Sequence, residues 1–209
     1  ASLHPVYPDQ QAIDDYVRLF GDNPALITFA GPGYGFDDPN IGVILVNETQ
    51  LWGMVGVALM AVFLVNRHTR AEEDEERAEL VRSNVVGRHA PDLAALAVVS
   101  GAVVLLGLVA AASFVVLDYP VAGSIALAAS LSAVGLVFVG ITAVAAQVAS
   151  SGRATLGAGS LALLVAFVLR AVGDIGDNAL RWLSPIGWRQ SVRAFAAERW
   201  WVLGLCLAV

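Results

Sequence analysis

The sequence contains no lysine: all twelve of its basic residues are arginine. That absence removes several chemistries. A Walker A loop needs its lysine at the nucleotide phosphates, and Schiff-base or Ser-Lys catalysis needs one too. The chain therefore cannot bind and hydrolyse ATP in the P-loop manner unaided. Cysteine is almost missing as well. Cys206 stands alone, which excludes a disulfide framework and a cysteine-based metal site. The histidines His4, His68 and His89 are scattered, with no H-E-x-x-H and no G-x-S-x-G pattern. No catalytic residue and no metal ligand set is expected. Charge is scarce too, at 14% of residues, where a soluble domain carries about 25%. The net charge of −6 comes from local acids and does not suggest nucleic-acid binding.

What fills the chain instead is apolar surface, 57% of residues with a mean hydropathy of +0.71. Residues 93–117 form an uncharged window of 25 residues, and 119–152 one of 34. A membrane span needs about 20. The expected architecture is all-α, a polytopic membrane helical bundle with four visible full spans plus the start of another. The spans are expected at 48–66 (apolar core 51–65, with 43–46 as an extension), 93–117, 121–149 and 155–172. Residues 118–120 and 150–154 are tight turns, so the second and third spans form an antiparallel hairpin. The last ten residues, 200–209, are apolar but too short to span. With alanine at position 1, a span or a removed leader is expected before the chain, and further chain after it. Small residues stud the spans, with Ala97–Gly101, Gly107–Ala111 and Ala129–Ala133 each four apart. That spacing suits close helix packing and is not evidence of a substrate site.

The remaining segments are polar or mixed. Residues 1–47 hold five of the eight prolines. Within them 9–20 predicts a short amphipathic helix, capped by Asp9 and ended by Gly21, with Ile13, Tyr16, Val17 and Phe20 on one face. The run Gly31-Pro-Gly-Tyr-Gly-Phe36 has the spacing G-x-G-x-G, with no strand–helix unit around it, and predicts a surface turn rather than a phosphate loop. The sequon at Asn47 abuts a span and reads as incidental. Four of the five tryptophans fall between 182 and 201, which places 173–199 along a membrane interface. There Arg189 and Arg193, four apart, suit the wet face of a short helix.

Residues 66–92 concentrate twelve of the thirty charged side chains. Thr69 and Glu72 form a capping box, acids fill the first turns where the helix dipole favours them, and Glu73–Arg77 is a favourable i,i+4 pair. A water-exposed helix over 70–84 is expected, and six acids packed within eight residues (72–79) invite a cationic partner surface. Arginine counts cannot orient the bundle, because alternation gives six on each side.

The run NRHTRAEEDEERAELVRSNVVGRHAP, followed by a long apolar span, resembles the permeases of bacterial ABC exporters of the polyketide-antibiotic or tetronasin group. A second stretch, LRAVGDIGDNALRWLSPIGWRQSVRAFAAERWW (169–201), is similar to that family at the expected spacing. The resemblance runs from about residue 16 to the end; one departure is Asp92 after Pro91, where the pattern has an apolar residue. It implies the ABC type-two permease fold in the bacterial cytoplasmic (inner) membrane. Residues 67–92 would be a cytoplasmic loop with a coupling helix, and 1–47 and 173–199 would be external. The implied partners are a dimeric ABC ATPase subunit, a second permease half in the same chain or another copy, and membrane lipid. ATP and Mg would sit in the ATPase, with no cofactor in this chain.

On that basis Arg70, Glu72, Glu73, Glu75, Glu76, Arg77, Glu79 and Leu80 are the candidate partner-binding residues. The implied function is ATP-driven export of amphipathic drugs or antibiotics, as a non-catalytic permease subunit. Ser100, Ser113, Ser130, Ser132, Thr142 and Gln147 are candidate pathway-lining groups, each set against an ordinary hydrogen bond within or between helices. The rivals are an ion-coupled secondary transporter, disfavoured because Asp118 and Arg170 sit only at span ends, an intramembrane enzyme, and a membrane scaffold.

Overall fold

A computed structural model describes residues 6–21, 23–69 and 90–208, the side chains of 189 and 206–208 excepted. Every regular element among them is helical. Helix α1 (Gln10–Phe20) starts where the Asp9 carboxylate accepts the Ala12 N–H at 2.9 Å, and ends at Gly21. Its apolar face is laid against a span: Ile13 and Tyr16 are buried with Ile44. Helix α2 (Pro24–Ala30) breaks a stretch that composition presents as turns. Asn23 caps it by accepting the N–H groups of Ala25 and Leu26, and Pro24 pre-sets its first turn. Residues 31–40 then turn back, with Gly31 and Gly35 at positive φ.

Helix α3 (Ile41–His68) begins well before the apolar run that predicts it. The reason is local. Asn40 is an N-cap whose side chain accepts from Gly42 and Val43, at 3.0 and 3.1 Å. Asn47, Glu48 and Gln50 therefore lie inside the helix. Two of them find partners on the N-terminal segment: Tyr16 donates to Asn47 Oδ1 and Tyr7 to Glu48 Oε1, both at 2.8 Å. Asn47 is buried, in keeping with an incidental sequon.

Helices α4 (Ala90–Val116), α5 (Val121–Val148) and α6 (Gly152–Ile175) follow. Asp118 at φ 65 turns the chain from α4 into α5. With α3 these make four helices long and apolar enough to cross a membrane. The protein is an all-α, multi-pass membrane bundle. Its centre is α5, which packs against α3, α4 and α6. Phe138 of α5 is fully buried, with Met54 and Val62 of α3, Val103 of α4 and Leu163 of α6 around it in one cluster. Gly135 permits this convergence, because a Cβ there would stand 2.5 Å from Val57 and 2.6 Å from Val103. In lipid such contacts stabilise by close packing, since lipid tails are as apolar as the helices themselves.

Beyond α6 come a 3-10 turn (Ala179–Leu183), α7 (Pro185–Gln190) and a terminal 3-10 segment (Trp200–Ala208). The short helix suggested by Arg189 and Arg193 does not continue past Gln190. Arg193 and Phe195 take φ of 54 and 62, outside any helix. What wins is tertiary packing: Phe195 is buried with Tyr119, Leu127 and Val192, and its carbonyl accepts from Asn40 Nδ2 at 3.1 Å.

Candidate functional site

Three regions bear on function. The first is the charged loop. Thr69 closes α3, its hydroxyl donating to Val65 O at 2.7 Å. The coupling-helix candidates Arg70, Glu72, Glu73, Glu75, Glu76, Arg77, Glu79 and Leu80 lie outside the described residues.

The second is the set of polar groups proposed to line a pathway. Ser113, Ser130 and Thr142 donate to the carbonyls of Val109, Ala126 and Phe138 at 2.7–2.8 Å, each one turn back in its own helix. Ser130 and Thr142 are also buried. Ser100 is half-buried and Gln147 exposed. Ser132 differs, for its hydroxyl reaches across to Val103 O of α4 at 3.4 Å. It also lines a groove of about 450 Å³ between α4 and α5, with Leu203 at one edge. The walls are Val104, Leu108, Ile125 and Leu136, and the floor is made of small residues, including Gly107, Ala111, Ala129 and Ala133. Two of the small-residue pairs that suggest helix packing thus shape a concave apolar surface. Its volume suits a drug-sized molecule, and an amphipathic one would find there a long apolar wall with one hydroxyl.

The third region is a polar assembly at the end of the bundle where α3 starts and α6 ends. Arg170 is its hub. The side chain is fully buried despite its charge. Its Nε–H donates to Gln190 Oε1 at 2.9 Å, and Nε lies 2.8 Å from Asp174 Oδ2. Nη1 donates to Thr28 O at 2.6 Å and Nη2 to Ile27 O at 3.4 Å. Those carbonyls belong to the last turn of α2, where the helix dipole favours a cation. Gln190 Nε2 in turn donates to Ala30 O at 3.3 Å. One guanidinium therefore ties α2, α6 and α7 together. From the sequence Arg170 is only a charge near a span end; the missed signal is its i,i+4 spacing to Asp174, which marks a pair on one face of a helix.

Beside this hub, the N-terminal segment is docked by two phenols, Tyr16 of α1 and Tyr7 just before it. Burial pushes the Tyr7 hydroxyl up to about 12, and its donation to Glu48 and that carboxylate's charge add to the shift. Tyr16 is raised as well, by burial first and then by the charge of Glu48.

No family model matches the chain. The chain is similar to a multidrug efflux permease. Over 208 residues, its whole length, it is 39% identical to a multidrug efflux system permease protein of Mycobacterium tuberculosis, and it spans 37% of that protein's length. The similar region thus includes the charged loop, the α4–α5 groove and the segment that holds Arg170 and Gln190.

Proposed function

We propose that this chain is part of the permease subunit of an ATP-driven exporter of amphipathic drugs, of the ABC type-two kind, in a bacterial cytoplasmic membrane. The observation that carries the reading is the 39% identity over the whole chain to a multidrug efflux permease. The absence of lysine agrees, since the P-loop of an ATPase would have to lie outside these 209 residues. In this mechanism, closure of a dimeric ATPase around ATP and Mg pushes on the charged segment 70–84. The push tilts α3 and α4, the two spans that flank it, and α5 moves with them through the core around Phe138. The α4–α5 groove offers cargo an apolar wall, and exposure of that wall alternates between the two sides.

The test is to co-purify the full-length permease with its candidate ATPase and reverse Glu72, Glu73, Glu75 and Glu76 to arginine. Single exposed ion pairs are worth about 0–1 kcal/mol, so the four must act together. Loss of the complex and of drug-stimulated ATP hydrolysis is expected. Survival of both sinks the coupling role.

A second reading, ion-coupled secondary transport, has the buried pair Arg170–Asp174 in its favour, although the pair lies in the last turns of α6 and not at mid-span. On that reading the full-length protein in liposomes would export drug under an imposed proton gradient with no ATPase and no ATP present, and failure to do so sinks it.

A further inference from the structure

Next to the Arg170 hub lies a small cavity bounded by α3, the turn after α2 and the loop after α7. Tyr34, Asn47, Gln50, Gln190 and Arg193 supply its polar lining. Most of this polar capacity is already committed. Gln190 is spent on Arg170 and Ala30, and Asn47 Oδ1 accepts from Tyr16. Two donors remain. Gln50 is 3% exposed and its amide Nε2 has no partner; Arg193 Nε is likewise buried and unpaired. A buried amide left without an acceptor costs more than a hydrogen bond contributes when made, so an acceptor is called for.

The charge balance points the same way. None of the described residues that line the cavity is acidic. Glu48 is engaged by Tyr7 and Asp174 by Arg170. Among the described residues no carboxylate pairs with Arg193, whose guanidinium lies over the Tyr34 ring, 4.6 Å from its centroid. Arg193 is held in this pose at φ 54, a backbone conformation unfavourable for an arginine. The room available is about 10 Å³, enough for one oxygen atom or one water but not a whole molecule. Depth is set by Trp52, two residues along α3. It is exposed and stacked on Phe29, as a tryptophan at headgroup level would be.

We propose that this cavity is an oxyanion site, in which one oxygen of the acidic head of a membrane amphiphile accepts from Gln50 Nε2 and Arg193 Nε. A lipid phosphate and the carboxylate of an acidic drug share that chemistry and that depth. The site does not depend on how export is powered.

Native mass spectrometry on the delipidated full-length protein would test it with three probes: dioleoylphosphatidylglycerol, oleate and oleyl alcohol. Wild type should retain one or both anionic probes, and Arg193→Gln and Gln50→Leu should each weaken that retention about tenfold. Oleyl alcohol should bind all forms alike. Retention of phosphatidylglycerol alone assigns the site to lipid, and retention of oleate alone to acidic cargo. Gln50→Glu guards against mere misfolding. It sets an internal carboxylate against Arg193, so it should abolish anion retention while the melting temperature holds or rises. Equal retention of anionic probes by wild type and Arg193→Gln, or no preference over oleyl alcohol, overturns the proposal and leaves the cavity to a water molecule.

Discussion

Helices α4 and α5 are nearly equal in length and both strongly apolar, yet the most apolar part of α4 is 17% buried and that of α5 61%. Neither hydropathy nor the number of small residues separates them; what differs is whether the small residues face another helix. On α5, Gly123, Ser124, Ala126, Ala128, Ser130, Ala133 and Gly135 are all buried, and neighbours close in on them. On α4, Leu93, Leu105, Leu108 and Val116 project outward. A membrane helix is drawn into a bundle by how closely its backbone can be approached. The same contrast recurs between regions. The α4–α5 side is smooth, apolar and weakly hydrogen-bonded across helices, whereas the end around Arg170 is fastened by charge and hydrogen bonds. One side is built to accommodate, the other to hold.

The largest expected effect comes from cutting the fastened end. Arg170→Met strands Asp174, Gln190 Oε1 and the last carbonyls of α2, and breaking a buried pair from one side costs about 3–5 kcal/mol. Thermal unfolding in detergent would show it. The double variant Arg170→Met with Asp174→Leu should recover part of the loss, because no buried charge is then left alone. Equal melting of Arg170→Met and wild type would refute the hub. Next in size is the crowded face of α5. Gly135→Ala forces a methyl against Val57 and Val103, an overpacking worth about 1–3 kcal/mol. Gly140→Ala, with nothing nearby, should be neutral in the same assay.

How far the sequence discloses this arrangement differs between the same two regions. The four spanning helices, the α4–α5 hairpin turn at Asp118 and the Asp9 cap of α1 follow from runs of one residue class or from one capping side chain. The early start of α3 was also within reach, because Asn40 is a good N-cap. Asn47 and Gln50 masked it by making the next turns look polar. Of the Arg170 hub only the i,i+4 pair with Asp174 was within reach, since its other partners Thr28 and Gln190 lie 142 and 20 residues away. Nor was the break at Arg193 and Phe195, which Phe195 makes by filling the space between the starts of α3 and α5. Of the six pathway candidates, three use their hydroxyls on their own helices, which residue type alone cannot foretell.

A smaller effect tests the docking of α1. The Tyr7 phenol ionises near 12 in the fold against 10.0 in a free chain, so the fold favours the neutral form. That contribution is fully present below pH 10 and is lost as pH rises from there towards 12. Melting temperature should therefore fall across this window, and Tyr7→Phe should flatten the fall. The absorbance of tyrosinate, followed in parallel, would show wild type titrating late. A wild-type phenol titrating near 10 would break the assignment.

Smallest of all should be Ser132→Ala, and that smallness is the sharpest statement about the groove. The serine–Val103 contact is 3.4 Å long, and interhelical hydrogen bonds in membranes average only about 0.6 kcal/mol. The Val103 carbonyl keeps its own helical bond when the hydroxyl is removed, so no buried acceptor is orphaned. Stability should change by less than about 0.5 kcal/mol. If apolar shape alone holds cargo, export of a neutral amphipathic drug should also stay within about twofold of wild type, a binding difference of about 0.4 kcal/mol. A tenfold loss of export with unchanged melting would instead make Ser132 a specific anchor. The accommodating side of the bundle would then carry a fixed polar contact of its own, and its contrast with the Arg170 end would be one of degree.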